Sequence, residues 1–336
     1  MPLRFALLLL LLPLAVAAQP APLFPIVEDG RFGFIDGTGR VVVEPRFEGA
    51  LPSSEGRAAV QLGGLWGFID ASGTLVVDAL FDEVFPFAGG RARVRSGDRW
   101  GFIDRDGGLV AGLIYGQALD YAQGRAPVRR VAIARARLNP AWGFLGEDGD
   151  FAIAPAFDQA LPFSEGLAAV RVTRKVLFVG LDKRWGFIDT TGAMVVAPAY
   201  GSARSFSEGL ALVRDGRRRV FIDAAGDPVL TVSYPQVGSF SEGLARVADA
   251  EGSWGFIDRE GAVAVPLRYD DARDFSEGLA PVRSGDRWGY VDAQGRQRIP
   301  PQYDRARPFE GGLAFVMLEG RPAYIDPTGR VVWRGQ

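Results

Sequence analysis

A five-residue segment, WGFID, recurs along the chain at a nearly constant spacing, and it limits the possible folds more than any other feature. The identical segment starts at Trp66, Trp100, Trp185 and Trp254. Close variants start at Phe32, Trp142, Arg219, Trp288 and Pro322. Successive starts are 34, 34, 42, 43, 34, 35, 34 and 34 residues apart. A fixed period of this length is typical of arrays of stacked supersecondary units, so the sequence predicts nine units, numbered by these anchors.

Each unit contains three predicted β-strands. The WGFID segment is short, aromatic and bounded by turn residues, which favours a strand. Its aspartate opens an Asp-x-x-Gly pattern, as at Asp36 and Gly39, which is typical of a type I turn. The second strand often runs into a proline such as Pro45, so it is predicted to lie at a sheet edge or to end there. A third strand follows an FSEG-like loop, with alternating residues such as Ala58 and Val60.

A three-stranded antiparallel meander of about this size buries too little apolar surface to fold alone, so neighbouring units are expected to stack. We therefore expect an all-β array of nine three-stranded antiparallel meander repeats. A propeller blade normally has four strands and about 40–45 residues. The shorter unit favours an open twisted solenoid, and a closed propeller-like ring is the alternative.

The repeat resembles the bacterial WG-repeat family, whose units read WGFID-x-x-G-x-x-V-V-x-P-x-[FY]-D, followed by F-S-E-G-L-A-x-V. The resemblance covers residues 24 to 333. It implies a β-rich repeat array and no catalytic residues. The chain departs from the motif at Arg219-Val220 and at Pro322-Ala323, where the Trp-Gly pair is missing.

The N-terminus has the pattern of a secretory signal peptide over residues 1–18. Arg4 precedes an apolar run over residues 5–16, and Ala15-Val16-Ala17 fits a cleavage site. This run is too short to span a bilayer, and no later segment is long and apolar enough. The sequence therefore predicts a periplasmic or secreted protein with no integral membrane span, whose residues 19–334 form a single array.

The chain contains no cysteine and no histidine. Disulfides, thiolate chemistry and Ser-His-Asp catalysis are therefore excluded. The commonest transition-metal ligands are also missing. We expect no catalytic residues, no metal site and no cofactor. A formal net charge of −2 gives no reason to expect nucleic acid as a partner.

Three recurring residue types have both a structural and a functional interpretation. The tryptophans could present an aromatic surface to glycans or to choline-like ligands, but packing between units is preferred. The turn aspartates could bind calcium, but turn capping is preferred because the repeats hold too few oxygen ligands. The FSEG glutamates could form a solvent-facing stripe, but bonding to loop backbone N–H groups is preferred. These glutamates are Glu55, Glu165, Glu208, Glu242 and Glu277.

The period lengthens by about eight residues in units four and five, in the hairpin that precedes each tryptophan. Insertions in a stacked array emerge on one face, often the binding face. These two hairpins and that of unit six are rich in basic residues, which leads to the hypothesis of a basic ridge for an anionic partner. The ridge residues are Arg129, Arg130, Arg135, Arg137, Arg171, Arg174, Lys175, Lys183, Arg184, Arg217 and Arg218.

The function that follows from these patterns is an exported, non-enzymatic binding or scaffold surface in the cell envelope. Its partner would be a protein or an anionic envelope component. Two alternatives stay open: a carboxylate-dependent hydrolase of envelope glycans, and a structural spacer without a specific ligand. A hydrolase would need one unit with an acidic pair that its siblings lack, and no such unit is present in the sequence.

Overall fold

The computed structural model describes residues 21–131, 141–176 and 180–335 of the 336-residue chain. Within these ranges every regular element is a β-strand, so the all-β prediction is confirmed. The same residues contain no helix that is long and apolar enough to cross a membrane. The signal peptide predicted over residues 1–18 lies outside the described residues.

The strands are short and follow one another in antiparallel order. Units one to three contain β1 (Phe24–Glu28), β2 (Arg31–Ile35), β3 (Val41–Phe47), β4 (Gly49–Ala50), β5 (Ala58–Leu62), β6 (Leu65–Ile69), β7 (Leu75–Phe81), β8 (Glu83–Val84), β9 (Arg91–Ser96), β10 (Arg99–Asp104) and β11 (Leu109–Ala118). Units four to six contain β12 (Ala126–Arg130), β13 (Trp142–Leu145), β14 (Phe151–Phe157), β15 (Gln159–Ala160), β16 (Leu167–Val176), β17 (Gly180–Asp189), β18 (Met194–Tyr200), β19 (Ser202–Ala203), β20 (Ala211–Asp215), β21 (Arg218–Ile222) and β22 (Pro228–Val232). Units seven to nine contain β23 (Gln236–Ser241), β24 (Leu244–Ala248), β25 (Trp254–Ile257), β26 (Val263–Tyr269), β27 (Asp271–Ala272), β28 (Ala280–Ser284), β29 (Arg287–Val291), β30 (Gln297–Tyr303), β31 (Arg305–Ala306), β32 (Ala314–Leu318), β33 (Arg321–Ile325) and β34 (Val331–Arg334).

A typical unit is a four-stranded antiparallel sheet, not the three-stranded meander predicted from the sequence. In unit two the order is β4-β5-β6-β7. The additional strand, β4, has two residues and pairs Gly49 with Gln61, so it is too short to leave a periodic pattern in the sequence. Unit one has three strands, β1-β2-β3. Units three and four share one seven-stranded sheet because β11 runs from one unit into the next.

Each sheet combines residues from two consecutive sequence repeats. Strand β5, which ends one repeat, pairs with β6, which carries the next anchor: Ala58 faces Ile69 and Val60 faces Gly67. Strand β7 then pairs with the other side of β6. Neighbouring repeats are therefore joined by backbone hydrogen bonds within sheets as well as by packing between sheets.

Neighbouring sheets contact each other through the glycine of the Asp-x-x-Gly turn. A Cβ added to Gly73 would lie 2.8 Å from the side chain of Val43 in the preceding unit. The same contact joins Gly192 of unit five to Ile153 of unit four, with a corresponding distance of 3.0 Å. Glycine at this turn position thus provides both a positive φ and the space for the neighbouring strand.

The same contact joins the two ends of the array. A Cβ on Gly39 of unit one would lie 2.2 Å from the backbone oxygen of Val332 in unit nine. The Tyr324 hydroxyl donates to the backbone oxygen of Pro25 at 3.0 Å. Of the two arrangements considered from the sequence, the structure therefore has the closed ring and not the open solenoid. The sequence favours the solenoid because three strands are too few for a blade, but the short fourth strand gives each typical unit the four strands that a blade needs.

The hydrophobic core lies between neighbouring sheets. The anchor-strand aromatic of each unit meets the aromatic of the next FSEG-like loop, as Phe68 meets Phe87 with ring centroids 4.9 Å apart. Unit two has Ser53 at this loop position, and there Leu23 packs beside Phe34 instead. The first described residues thus complete the core between units one and two.

The Trp-Gly pair marks a β-bulge between the anchor strand and the outer strand. In unit two Trp66 faces Phe81 and Phe68 faces Val77, so two residues on β6 span four on β7. Unit six lacks the pair, and there Arg219 faces Val232 while Phe221 faces Leu230, without a bulge at this point. Unit nine also keeps its register here, with Ala323 opposite Arg334 and Tyr324 opposite Trp333.

The proline of the outer strand lies in this bulge. Pro45 is inside β3, which forms an edge of its sheet, so the predicted edge position is confirmed. The strand continues through the proline, however, and does not end there. Because proline has no N–H, it can occupy the bulge without leaving a donor unpaired.

Candidate binding surface

The anchor tryptophans pack between neighbouring units and do not stack on one another. Trp66 packs against a core cluster that includes Phe81 of its own unit and Phe87 of the next. Trp142 and Trp288 are buried, with 8% and 7% of their surface exposed. Among the ring contacts of the described residues, none joins two tryptophans. The preferred packing interpretation is confirmed, and the glycine beside each tryptophan accommodates the bulge, not the indole.

In several units an arginine on the preceding strand faces the anchor tryptophan. The register pairs Arg129 with Trp142 and Arg171 with Trp185. The guanidinium carbons lie 5.8 Å and 5.9 Å from the indole centroids. This cation–π contact holds each guanidinium near the indole face. The tryptophans therefore also position cations at the surface.

The arginines of both pairs line one cleft of about 430 Å³ in units four and five, called here the unit-four cleft. It is lined by Gln117, Arg129, Ala141, Trp142, Ala156, Phe157, Asp158, Gln159, Arg171 and Lys183. Three lining residues are cationic and one, Asp158, is acidic. The Asp158 carboxylate accepts a hydrogen bond from the Thr173 hydroxyl at 2.6 Å. The Arg171 Nε atom is buried and has no hydrogen-bond partner among the described residues.

A second depression of about 550 Å³ adjoins the unit-four cleft and shares Gln117, Trp142 and Gln159 with it. Trp100 and Trp185 also line it, so indoles from three units border one surface. We call this second depression the aromatic groove. Arg93 lies at its margin, 3.0 Å from Asp120. Burial lowers the pKa of the Arg93 guanidinium, and the charge of Asp120 opposes that effect.

The residues of the predicted basic ridge do not all lie on one surface in the structure. Arg129, Arg171 and Lys183 line the unit-four cleft, whereas the other described members are not among its lining residues. Arg130 is exposed and lies 5.6 Å from the Phe151 centroid. Arg184 forms an ion pair with Asp182 at 2.9 Å. Successive side chains of a strand point to opposite faces, which explains why Arg129 and Arg130 separate.

The unit-six members of the predicted ridge lie in another place. Arg217 and Arg218 are exposed in the hairpin between β20 and β21, and Arg218 pairs with Asp215 at 2.6 Å. Arg135 and Arg137 lie outside the described residues. The side chains of Arg174 and Lys175 also lie outside the described part of the chain. Of the seven ridge residues whose side chains the structure describes, three therefore lie together at one cleft.

The turn aspartates cap their own turns, as preferred from the sequence. One carboxylate oxygen of Asp36 accepts the backbone N–H groups of Thr38 and Arg40 at 2.9 Å and 3.2 Å. Asp326 makes the corresponding contacts with Thr328 and Arg330. The hydrogen bond from the Thr38 hydroxyl lowers the pKa of Asp36. These carboxylates stabilise turns.

The FSEG glutamates bond to backbone N–H groups, as predicted, but they do so in the next unit. Glu165 accepts from the N–H groups of Glu208 and Gly209 at 2.6 Å and 2.7 Å. Glu208 in turn accepts from Gly243 at 2.9 Å. The series of unit-to-unit bonds continues through Gly278 and Gly312. The glutamates therefore tie consecutive units together.

Sequence reasoning missed Gln117 and Gln159, which border both the unit-four cleft and the aromatic groove. Gln117 lies near the end of β11, where it runs into unit four, and Gln159 begins β15. The sequence did not predict a strand at either position, so nothing pointed to these two exposed glutamines. Aligning the units after each outer-strand aromatic would have placed both glutamines at one equivalent position.

A model of the WG containing repeat matches most of the chain. The matched segments are residues 32–66, 66–100, 100–130, 142–175, 185–217, 221–248, 254–288 and 288–321. A search of curated proteins found no match to the sequence.

Two solved structures illustrate the structural similarity. BamB from Moraxella catarrhalis is 13% identical, with a TM-score of 0.42 and coverage of 94% of this chain and 93% of that chain. The apo form of AztD from Citrobacter koseri is 14% identical, with a TM-score of 0.43 and coverage of 82% and 93%.

Proposed function

The chain belongs to the WG containing repeat family. We propose that it is an exported, non-enzymatic binding scaffold of the cell envelope. Its binding surface is the unit-four cleft, and its partner is an anionic component of the envelope. The observation that carries the proposal is the convergence of Arg129, Arg171 and Lys183 on this one cleft.

The charge balance of the cleft supports an anionic partner. Its three cations face a single carboxylate, Asp158, which is already bonded to Thr173. The unpartnered Nε of Arg171 provides a buried donor that an oxygen of the partner can accept from. The Trp142 and Trp185 contacts hold two guanidinium groups in place, so less side-chain entropy is lost when the partner binds.

The residues of the cleft suit binding better than catalysis. Glycoside hydrolysis commonly uses two carboxylates on either side of the scissile bond. The cleft offers one, and its other polar groups are amides and cations. The closed array gives rigid support to the cleft, since the turn-glycine contacts and the glutamate bonds fix each unit against its neighbours. A rigid surface of this kind is suited to a scaffold.

Charge removal tests the proposed function. The Arg129→Ser, Arg171→Ser, Lys183→Ser triple variant removes the cleft cations. The matched control, Arg130→Ser, Arg184→Ser, Arg217→Ser, removes the same charge from residues outside the cleft. Binding to lipopolysaccharide-containing vesicles is measured by co-sedimentation, with zwitterionic vesicles as the blank. At about 1 kcal/mol for each basic residue near an anionic surface, the cleft variant should bind roughly 100-fold more weakly.

The wild-type interaction should also weaken with salt, because screening shortens the range of the attraction. Equal binding by the cleft variant and the control would contradict the proposed site. The envelope location has its own test, in which cell fractionation compares the full chain with one that lacks residues 1–18. Loss of the protein from the envelope fractions is expected for the shortened chain, and its unchanged location would contradict export.

A further inference from the structure

Unit six differs from its siblings at the position of the anchor tryptophan, which is occupied by Arg219. In units four and eight the cross-strand register pairs an arginine with tryptophan, as Arg283 pairs with Trp288. In unit six it pairs Arg214 with Arg219. Two cations directly opposite each other on adjacent strands repel and destabilise the pair. The tryptophan face that holds the guanidinium elsewhere is absent here.

These two arginines border a pocket of about 460 Å³ in units six and seven, called here the arginine pocket. Arg204 and Arg246 also line it, together with Gln236 and Trp254. None of the described residues that line this pocket is acidic. Four guanidinium groups therefore border one cavity.

Gly238 lines the pocket and contributes no side chain to it. When the units are aligned on the aromatic residue that ends each outer strand, the position of Gly238 is occupied by Leu51 in unit two and by Phe85 in unit three. The guanidinium carbon of Arg93 lies 3.6 Å from the Phe85 ring centroid. A Cβ on Gly238 would lie 2.7 Å from Cγ of Arg246. Glycine thus leaves room for the Arg246 side chain and leaves the remaining space open. Unit three has the equivalent arginine, but an aromatic side chain fills the space there.

The known partners of the four arginines leave an excess of positive charge. Arg246 forms an ion pair with Asp274 at 2.9 Å and donates to the backbone oxygen of Ala272. Arg214 donates to the backbone oxygen of Gly216, which carries no charge. Four cations facing one carboxylate leave an excess of three positive charges. A singly charged ligand would compensate only part of this excess.

We infer that the arginine pocket is a binding site for a phosphate monoester, which its arginines hold. The planar guanidinium matches phosphate oxygens with paired hydrogen bonds, and a phosphate monoester carries close to two negative charges. The indole of Trp254 forms one wall, and the guanidinium carbon of Arg246 lies 5.5 Å from its ring centroid, so this wall positions one of the four cations. A cavity of this volume accommodates a small molecule of that class. This site is independent of the unit-four cleft.

The phosphate monoester could belong to a free sugar phosphate or to a lipid headgroup, and two arms of one experiment separate these sources. Glucose 6-phosphate is titrated into the full-length protein by isothermal calorimetry, with glucose as the uncharged control. Vesicles containing phosphatidic acid are tested by co-sedimentation against vesicles containing phosphatidylglycerol, a phosphodiester. Binding in the first arm supports a free ligand, and binding in the second arm alone supports a headgroup.

The test variant is the double substitution Arg204→Gln with Arg219→Gln. The control is the double substitution Arg283→Gln with Arg321→Gln, which removes the same charge from units eight and nine. We expect the pocket variant to weaken phosphate-monoester binding at least about tenfold and the control to bind as the wild type does. If the double variant does not fold, Arg204→Gln alone replaces it, because Arg204 is exposed. The unit-four triple variant should retain this binding. Failure of one proposed site can therefore be distinguished from failure of the other.

Absence of binding in both arms would overturn the inference. Equal binding by the pocket variant and the control would also overturn it, because the site would then lie elsewhere. Binding of glucose as strong as that of glucose 6-phosphate would overturn the role of the phosphate.

Discussion

Gly67 and Val77 approach each other so closely that a Cβ on Gly67 would lie 2.4 Å from the backbone oxygen of Val77. This contact is a consequence of the bulge opposite the Trp-Gly pair, and the obstructing atom belongs to the backbone. Gly186 meets the backbone oxygen of Val196 in the same way, at 2.5 Å. The glycine of the repeat motif therefore has a steric cause within its own sheet.

Gly67→Ala should destabilise the protein by about 1–3 kcal/mol, because the outer strand must shift to admit the methyl group. The free energy of unfolding is measured by chemical denaturation. Gly37→Ala is the control, since a Cβ there would meet nothing within 4 Å. If the two variants had equal stability, the steric account of the Trp-Gly pair would be wrong.

The sequence predicted the number of units, the strand character of the anchor and the roles of the turn aspartates. Each of these leaves a repeated local pattern, such as Asp36 with Gly39. The fourth strand could not be predicted because a two-residue segment has no period. Closure of the ring could not be predicted either, since it depends on contacts such as Gly39 with Val332, which lie at opposite ends of the chain.

The candidate sites were partly predictable. Arg129 and Arg130 are consecutive, and only the register of β12 against its neighbouring strands decides which of them faces the unit-four cleft. The arginine pocket combines Arg219 with Gly238, two departures from the motif in different units. Each departure is visible in the sequence, but their proximity is a property of the sheet packing.

The glutamate bonds between units predict a loss of stability on truncation. Glu165→Ala should destabilise the protein by about 0.5–1.5 kcal/mol for each bond lost, because the exposed N–H groups of Glu208 and Gly209 then exchange a carboxylate acceptor for water. Glu165→Gln should retain part of the stability, since its amide oxygen still accepts. Glu44→Ala changes an exposed strand residue and serves as the control in thermal unfolding. Equal melting temperatures for Glu165→Ala and the control would contradict the role of these bonds.

The turn aspartates predict a loss of stability in acid. Desolvation raises the pKa of Asp326, but hydrogen bonds from Thr328 and Arg330 outweigh this effect and hold the pKa at about 2. An unfolded aspartate has a pKa of about 3.9. Because the folded pKa is the lower one, this contribution is complete above about pH 4 and is lost as the pH falls towards 2.

Asp326→Asn should therefore show a smaller fall in melting temperature than the wild type between about pH 5 and pH 2. Asp286→Asn, in an exposed hairpin turn, is the control and should follow the wild-type profile. A steeper acid dependence in Asp326→Asn than in the wild type would contradict the assignment.

Closure of the nine units is the central structural claim, and a distance measurement between spin labels tests it directly. The chain has no cysteine, so pairs of introduced cysteines can be labelled without background. Thr38→Cys with Val331→Cys spans the junction of units one and nine. Ser72→Cys with Val41→Cys spans the equivalent junction of units two and one. Closure predicts similar short distances for both pairs, whereas an open stack at about 10 Å for each of eight steps would place the first pair roughly 80 Å apart.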